Sequence, residues 1–379
     1  MRPIHFAINA HLLSPEPGYR QAGVSEYIDQ IMRHLWALTP DERWTVYVPP
    51  GVTRETLSAP EHVRLHASRF QTSKPTTRIL WEQAIAPAAL LRDRPNILFC
   101  PLNVVPMLAS CPTIVMVHDL AFLRYKMHKP AKRFYLSVLT WLSVKRASHV
   151  LTVSEFTRRE VMELLHVPDY KVSAVPNGRK EDFGPVEPEV VARFRAQNDL
   201  PPQFLLTVGT LEPRKNIATL IRAYAEAKDR LGMPLLIGGG KGWLYDEIFA
   251  LVNELGLQQD VRFIGFIPRE QLQLYYAAAT GFVYPSLYEG CGLPLLEAMS
   301  VGTPVVTSDA GALVEVAGDA ALIVPATDVT QMAEALVRIS QDEPLRAELR
   351  AKGLARAQNF SWRAAAKETL HWLQLLSRL

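Results

Sequence analysis

The stretch from Gly281 to Ser308 constrains the fold more than any other part of the chain. Gly281–Ser286 is short and apolar and reads as a buried strand. Glu289–Gly292 reads as a Gly-bounded loop, and Leu293 onward as a helix with Pro294 in its first turn, where a missing N–H costs nothing. Gly302 is placed to cap that helix, and Pro304–Ser308 reads as the next strand. A strand–loop–helix–strand unit aims free backbone N–H groups and the positive end of a helix dipole at whatever lies beyond the strand. An anion belongs there, yet two carboxylates, Glu289 and Glu297, flank the place eight residues apart. A carboxylate beside a phosphate is repulsive unless it has a partner of its own, and a sugar hydroxyl is one. On residue type alone, Glu289 is equally a plain loop carboxylate and Glu297 a residue that favours the helix dipole.

The rest of the chain repeats this unit. Strands are expected at Pro3–Ala10, Trp44–Val48, Val63–Ala67, Ile97–Cys100, Thr113–His118, Val150–Ser154 and Val172–Val175, with helices between most of them, notably 24–38, 78–91, 131–147 and 156–165. Alternating β and α at this spacing predicts a parallel, doubly wound α/β sheet. Residues 181–202 carry Pro185, Pro188, Pro201 and Pro202 and read as an interdomain linker with one short helix. The pattern then restarts, with strands at 204–208, 235–237, 261–264, 282–284, 305–308 and 322–324. A chain of 379 residues is long enough for two domains. The expected division is 1–180 and 203–360, with the helix at 361–379 returning to the first domain. Ligands are expected in a cleft at the carboxyl ends of the strands.

Glu289-x7-Glu297 after Tyr284-Pro-Ser286, then Glu297-Ala-Met299 and Gly302-Thr-Pro-Val-Val306, resembles the donor-site signature of retaining nucleotide-sugar glycosyltransferases of family 4. Glu212-Pro-Arg-Lys-Asn216, Val117-His-Asp119, Val153-Ser-Glu-Phe-Thr157 and Val175-Pro-Asn-Gly178 occur in the order and spacing of that family, so the resemblance covers most of the chain. It implies the GT-B fold, two Rossmann-like domains facing a cleft. It also implies roles. Arg214 and Lys215 neutralise the donor diphosphate in place of a metal, and Gly209 and Thr210 line the donor site before them. Glu289 holds sugar hydroxyls and Glu297 the ribose. Gly290, Cys291, Gly292 and Leu293 form the donor loop and helix start. Gly23 lets the backbone approach the donor, His118 lies by the donor sugar, and the backbone at Phe266 and Ile267 holds the base.

Residue chemistry supports parts of this independently. Arg bridges phosphate oxygens bidentately and Lys supplies a point charge, but an isolated Arg-Lys pair is usually just solvated. A histidine ending an apolar strand is often a satisfied core residue, and Gly23 can be a plain turn glycine. The chain has no Asp-x-Asp, no His-Glu-x-x-His and no Cys/His cluster, so no metal and no cofactor is expected beyond the substrate. Gly238-Gly-Gly-Lys-Gly242 lacks phosphate-loop spacing and reads as a tight strand-to-helix turn. The absence of Gly-x-Gly-x-x-Gly counts against a dinucleotide dehydrogenase. The chain departs from the family at Cys291, where Phe is usual, at Ser300-Val301, at Val314 and at Thr280. None of these removes a proposed charged ligand.

Charge is asymmetric. Residues 1–180 hold 23 Lys and Arg against 14 Asp and Glu, a net +9, and residues 181–379 hold 18 against 24, a net −6. No basic run interleaves with aromatics, so nucleic acid is not expected as a partner. No apolar run reaches the ~20 residues that span a bilayer, no signal peptide is read, and three scattered cysteines fit a reducing cytoplasm. Arg124, Lys126, Lys129, Lys132 and Arg133 crowd the start of the helix at 131–147. Phe134, Val138, Trp141 and Leu142 are expected to pack that helix on the sheet. The basic face is either simply solvated or docks peripherally on an anionic inner leaflet.

The function expected is transfer of a sugar from a nucleotide diphosphate to a hydroxyl of a saccharide or lipid-linked oligosaccharide acceptor. Retention of configuration comes from the resemblance alone. The overall pattern, including Leu80-Trp-Glu-Gln83 and Phe99-Cys-Pro-Leu-Asn103, is most similar to bacterial mannosyltransferases of polysaccharide and O-antigen assembly, which implies GDP-mannose as donor. The competing readings are a nucleotide-sugar epimerase of the same fold and a two-lobed sugar- or nucleotide-binding protein without activity.

Overall fold

The computed structural model describes residues 3–14, 23–72, 75–125, 130–240, 242 and 245–378. They form two compact units, Met1–Gly178 with Ser361–Leu379, and Arg179–Phe360.

In the first unit the described residues form seven parallel strands: β1 (His5–Asn9), β2 (Arg43–Val48), β3 (Val63–Ala67), β4 (Ile97–Cys100), β5 (Thr113–Val117), β6 (His149–Thr152) and β7 (Val172–Ala174). Their order is β3-β2-β1-β4-β5-β6-β7. The central strands β1, β4 and β5 are buried at every position, as expected of apolar strands covered on both faces by helices. Helix Val24–Leu38 buries Tyr27, Ile28, Ile31, Met32 and Leu35, the i, i+4, i+7 stripe of an amphipathic helix. Helix Trp362–Leu376 packs on it, with Trp362 edge-on to Tyr27 at 5.8 Å. Ser361 caps this last helix by accepting from Ala364 N at 3.4 Å.

In the second unit the described residues form six parallel strands: β8 (Leu205–Val208), β9 (Leu235–Gly238), β10 (Val261–Gly265), β11 (Gly281–Tyr284), β12 (Val305–Ser308) and β13 (Leu322–Val324), ordered β10-β9-β8-β11-β12-β13. In each sheet the order reverses once, between β1 and β4 and between β8 and β11. In doubly wound sheets the crevice outside that strand pair is where ligands bind.

Three expectations are corrected. The stretch 181–202 is no linker: it belongs to the second unit, where helix Pro188–Gln197 sends Val191 and Phe194 into the core beside Phe183. Pro188 opens that helix at its first position instead of breaking the chain. The helix at 78–91 is interrupted: α-helix Pro75–Leu80 continues through a π-helical turn, Trp81–Ile85, into Ala86–Asp93. The stripe on helix Pro130–Arg146 faces outward, with Phe134 72% exposed, Val138 37% and Trp141 46%. Thr140, Ser143 and Val144 make the buried face, and the Ser143 hydroxyl accepts from Val105 N at 3.1 Å. Among the described residues no helix is long and apolar enough to cross a membrane.

Candidate active site

In the second unit, the reversal between β8 and β11 is where the charged residues singled out from sequence converge. After β8 the chain passes Gly209 and Thr210 and closes a 3-10 turn, Pro213–Lys215. Asn216 follows in the left-handed region, φ 57°, and its side-chain amide donates to Pro285 O at 3.0 Å and Ala326 O at 2.6 Å. Leu287 N donates to Arg214 O at 2.8 Å. The turn after β8 and the loop after β11 are thereby tied together, which lets two adjacent basic residues reach one carboxylate.

That carboxylate is Glu289, which is buried. Lys215 Nζ lies 2.6 Å from its Oε1 and Arg214 Nη1 3.0 Å from its Oε2. The Tyr284 hydroxyl accepts from Lys215 at 2.7 Å and donates to Glu289 Oε1 at 3.0 Å. Arg214 is held from behind by Glu212, whose Oε1 accepts at 2.9 Å and 3.2 Å, and by Tyr288 O at 2.9 Å. Burial pushes the Glu289 carboxyl up, but Lys215 and Arg214 outweigh it and hold the group at about 2, fully ionised at neutral pH. The Gly209 Cα lies against the Lys215 stem, so that a Cβ there would meet its methylenes at 3.5 Å.

The loop after β11 is shaped by two glycines. Gly292, at φ 82°, turns the chain into helix Leu293–Val301, and a Cβ on it would lie 2.6 Å from Leu313 Cδ2. Gly311, at φ 63°, lies against the Glu289 backbone: a Cβ there would be 2.5 Å from Glu289 O, and Ala312 N donates to that same oxygen at 2.9 Å. Gly290 is buried and Cys291 half-buried between these turns.

Glu297, on helix Leu293–Val301, is buried on different partners. Lys180 Nζ pairs with its Oε1 at 2.7 Å, and the Tyr276 hydroxyl donates to its Oε2 at 3.0 Å. Thr210 and Phe266 are exposed, while Ile267 is buried against Gly238. Gly23 and His118 belong to the first unit. Gly23, at φ 65°, precedes helix Val24–Leu38, and its carbonyl accepts from Tyr27 N at 3.0 Å. The Tyr27 ring meets the His118 ring edge-on at 4.8 Å. His118 Nε2 donates to Pro101 O at 2.8 Å, and burial holds its pKa below the usual histidine range. The neutral ring therefore carries its proton on Nε2 and offers Nδ1 as an acceptor.

Sequence reasoning missed Lys180, Glu212, Gly311 and the Tyr284 hydroxyl as parts of this network. Tyr284 stood within the motif but read as strand core. Lys180 is 117 positions from its partner Glu297, and no local spacing signals such a pair. Among the described residues no group of three His, Cys, Asp or Glu side chains converges as metal ligands.

Two parallel-sheet units of this topology, with the charged site at a strand-order reversal, define the GT-B class of glycosyltransferase. Sucrose-phosphate synthase from Thermosynechococcus elongatus superposes with a TM-score of 0.78 at 23% identity, covering 98% of this chain and 99% of that one. The pattern of Glycosyltransferase Family 4 matches residues 22–183, and that of Glycosyl transferases group 1 matches residues 191–356. O-antigen chain mannosyltransferase B of Escherichia coli is 36% identical over 267 residues, 69% of this chain and 70% of that one. Serotype-specific mannosyltransferase WbdA of Escherichia coli is 31% identical over 261 residues, 66% of this chain but 32% of that longer one. The chain belongs to glycosyltransferase family 4 and is a glycosyltransferase.

Proposed function

We propose that this enzyme moves mannose from GDP-mannose to a hydroxyl of a saccharide or lipid-linked oligosaccharide, with retention and without a metal. The observation that carries the reading is the Glu289 carboxylate gripped by both Arg214 and Lys215 beyond β8 and β11. Diphosphate oxygens compete for the same two cations, and when they take them Glu289 is released to accept hydrogen bonds from sugar hydroxyls. As the bond to the anomeric carbon breaks, charge grows on the departing diphosphate. Arg214, Lys215 and the start of helix Leu293–Val301 are placed to neutralise it. Mannose is supported by the names of two relatives, each called a mannosyltransferase. The polysaccharide acceptor is supported by one of them, an O-antigen chain enzyme. A thermal-shift panel of GDP, UDP, ADP and TDP sugars, followed by transfer assays with and without EDTA, tests this. The melting point should rise most with GDP-mannose, and transfer should survive the chelator. A preference for UDP sugars rejects the donor, and full inhibition by EDTA rejects the metal-free site.

A peripheral contact with anionic lipid is supported by the outward stripe Phe134, Val138 and Trp141, flanked by exposed Lys132 and Lys145 on the same helix. Arg133 is drawn inward, where its guanidinium donates to Phe122 O and Leu123 O. Lys126 and Lys129 lie outside the described residues. Flotation should show binding to anionic liposomes that weakens with salt and is lost on replacing Phe134 and Trp141 with Ser. Indifference to anionic liposomes at low salt ends this reading.

A further inference from the structure

The reversal point of the first sheet holds a second buried polar cluster, built on the Leu80–Gln83 segment, that the donor site does not use. Asn9 ends β1, and His11 lies two residues beyond. Glu82 reaches Asn9 from the π-helical turn Trp81–Ile85, a local distortion found disproportionately at functional sites. The Asn9 amide donates to Glu82 Oε1 at 3.4 Å and Arg78 Nε approaches that oxygen at 3.8 Å. Two long contacts are sparse for a buried carboxyl, which ordinarily takes several short ones. His11 is buried edge-on against Trp81 at 3.9 Å, and its Nδ1 meets Thr72 Oγ1 at 3.1 Å. Among the described residues its Nε2 is buried with no hydrogen-bond partner. Gln83 turns the other way and clamps the loop after β4, donating to Val105 O and accepting from Met107 N, each at 3.1 Å. Arg78, 18% exposed, and half-buried Tyr135 form the more open side of the cluster.

The chemistry selects a ligand. A cation is opposed by Arg78 and an anion by Glu82, so a neutral molecule fits. It must both give and accept hydrogen bonds, because a carboxyl meets an amide and an under-used imidazole lies on the neighbouring Trp81 ring. A sugar hydroxyl does both. We propose that Asn9, His11 and Glu82, rimmed by Arg78, form the subsite that holds the acceptor sugar, with Glu82 receiving a hydrogen bond from an acceptor hydroxyl. This rests on the glycosyl-transfer reading and adds the acceptor side to it. Burial pushes the Glu82 carboxyl up to about 7, against the pull of Arg78 and the Asn9 amide. The other titratable groups facing it are the thiol of Cys100, pushed up by burial, and the Tyr135 phenol, pushed up to about 12 by burial and by Glu82. His11, held near 3 by burial and Arg78, stays neutral. The ionised carboxylate is the better acceptor for a hydroxyl, so the acceptor KM should fall as pH rises through about 7.

The test measures transfer from GDP-mannose to methyl α-mannoside and to short oligomannosides between pH 5.5 and 8.5, for the full chain and Glu82→Gln. The acceptor KM should rise at least ten-fold in the variant and lose its pH dependence, while the affinity for GDP measured by calorimetry stays within two-fold. An unchanged acceptor KM, or equal losses for acceptor and GDP, overturns the subsite. If Glu82→Gln does not fold, Arg78→Met replaces it: the fall in acceptor KM should move to higher pH while GDP affinity stays within two-fold, and an unmoved pH dependence overturns the subsite. If the wild type transfers nothing from GDP-mannose, the donor reading has failed. The subsite is then decided by saturation-transfer NMR with methyl α-mannoside. Binding that Glu82→Gln removes upholds it, and binding that persists, or no binding by the wild type, overturns it.

Discussion

Glu289 and Glu82 occupy comparable places, one in each unit, at the carboxyl ends of the strands where the order reverses. Both are buried, and burial drives both carboxyls upward. Glu289 has two cations at 2.6 Å and 3.0 Å and a tyrosine hydroxyl, and it ends at about 2. Glu82 has one cation at 3.8 Å and one long amide contact, and it ends at about 7. The desolvation is shared; the number and nearness of the positive charges decide the outcome. One carboxylate is locked ionised inside a charge network. The other is poised to change charge near neutrality, a costly arrangement that sites keep for function.

The largest expected effect comes from stripping the network at Glu289. Replacing Arg214 and Lys215 together with Ala should remove about 3–5 kcal/mol of transition-state stabilisation, roughly two to four orders of magnitude in kcat/KM. It should also lower the melting point, because Glu289 is left as a buried unpaired charge. Adding Glu289→Gln should restore the melting point and leave activity lost. Near-normal rates in the double variant would show that the cations serve structure alone.

Next comes the opposite pH response of the two glutamates. The folded-state value of Glu289 is depressed, so its contribution of about 3 kcal/mol is present above the unfolded value near 4.3 and is lost as pH falls toward 2. Glu82 is raised, so the folded state binds the extra proton, and its carboxyl destabilises the fold as pH climbs from about 4.3 through 7. Urea midpoints should therefore show Glu82→Gln more stable than wild type by about 3 kcal/mol at pH 8.5 and no more stable at pH 4. Glu289→Gln should be less stable at pH 7 by a similar amount. Parallel pH curves for the two variants would erase the contrast.

Smaller effects refine it. Gly311→Ala puts a Cβ against the Glu289 backbone at positive φ and should cost about 1–3 kcal/mol, read as a lowered melting point with GDP binding weakened in step. Asn9→Ala removes the 3.4 Å contact to Glu82 together with the 3.5 Å acceptor of His11 N, and should cost about 1 kcal/mol at pH 8.5 and less at pH 5, where a protonated Glu82 needs that donor least.

The β–α alternation was enough to place all thirteen strands of the described residues, because buried parallel strands are short apolar runs bounded by turns. Arg214, Lys215 and Glu289 were legible as a set through motif and order. Their mutual contact was not, since it depends on Asn216 stapling two loops together. Glu82 stood inside a noted tetrapeptide but carried no charge signal of its own, because the π-turn that aims it is not encoded in hydrophobic period. The stripe on helix Pro130–Arg146 was assigned to the wrong face. Periodicity marks an apolar side without saying whether core or surroundings cover it, and here Thr140 and Ser143 take the buried side. The prolines of 181–202 misled in the same way, since proline starts helices as readily as it breaks them.

Helix Trp362–Leu376 completes the first unit, yet about 180 residues of the second unit come before it in the chain. At the usual pace of synthesis, about 5–20 residues per second, the ribosome needs roughly 10–40 s to make that insert. For all of that time Tyr27 and its helix lack the covering that Trp362 later supplies. The nascent first unit is thus a waiting half-built layer, a natural resting place for a chaperone. A circular permutant that moves the final helix to the front, joined ahead of β1, should emerge with that face already covered and aggregate less during expression.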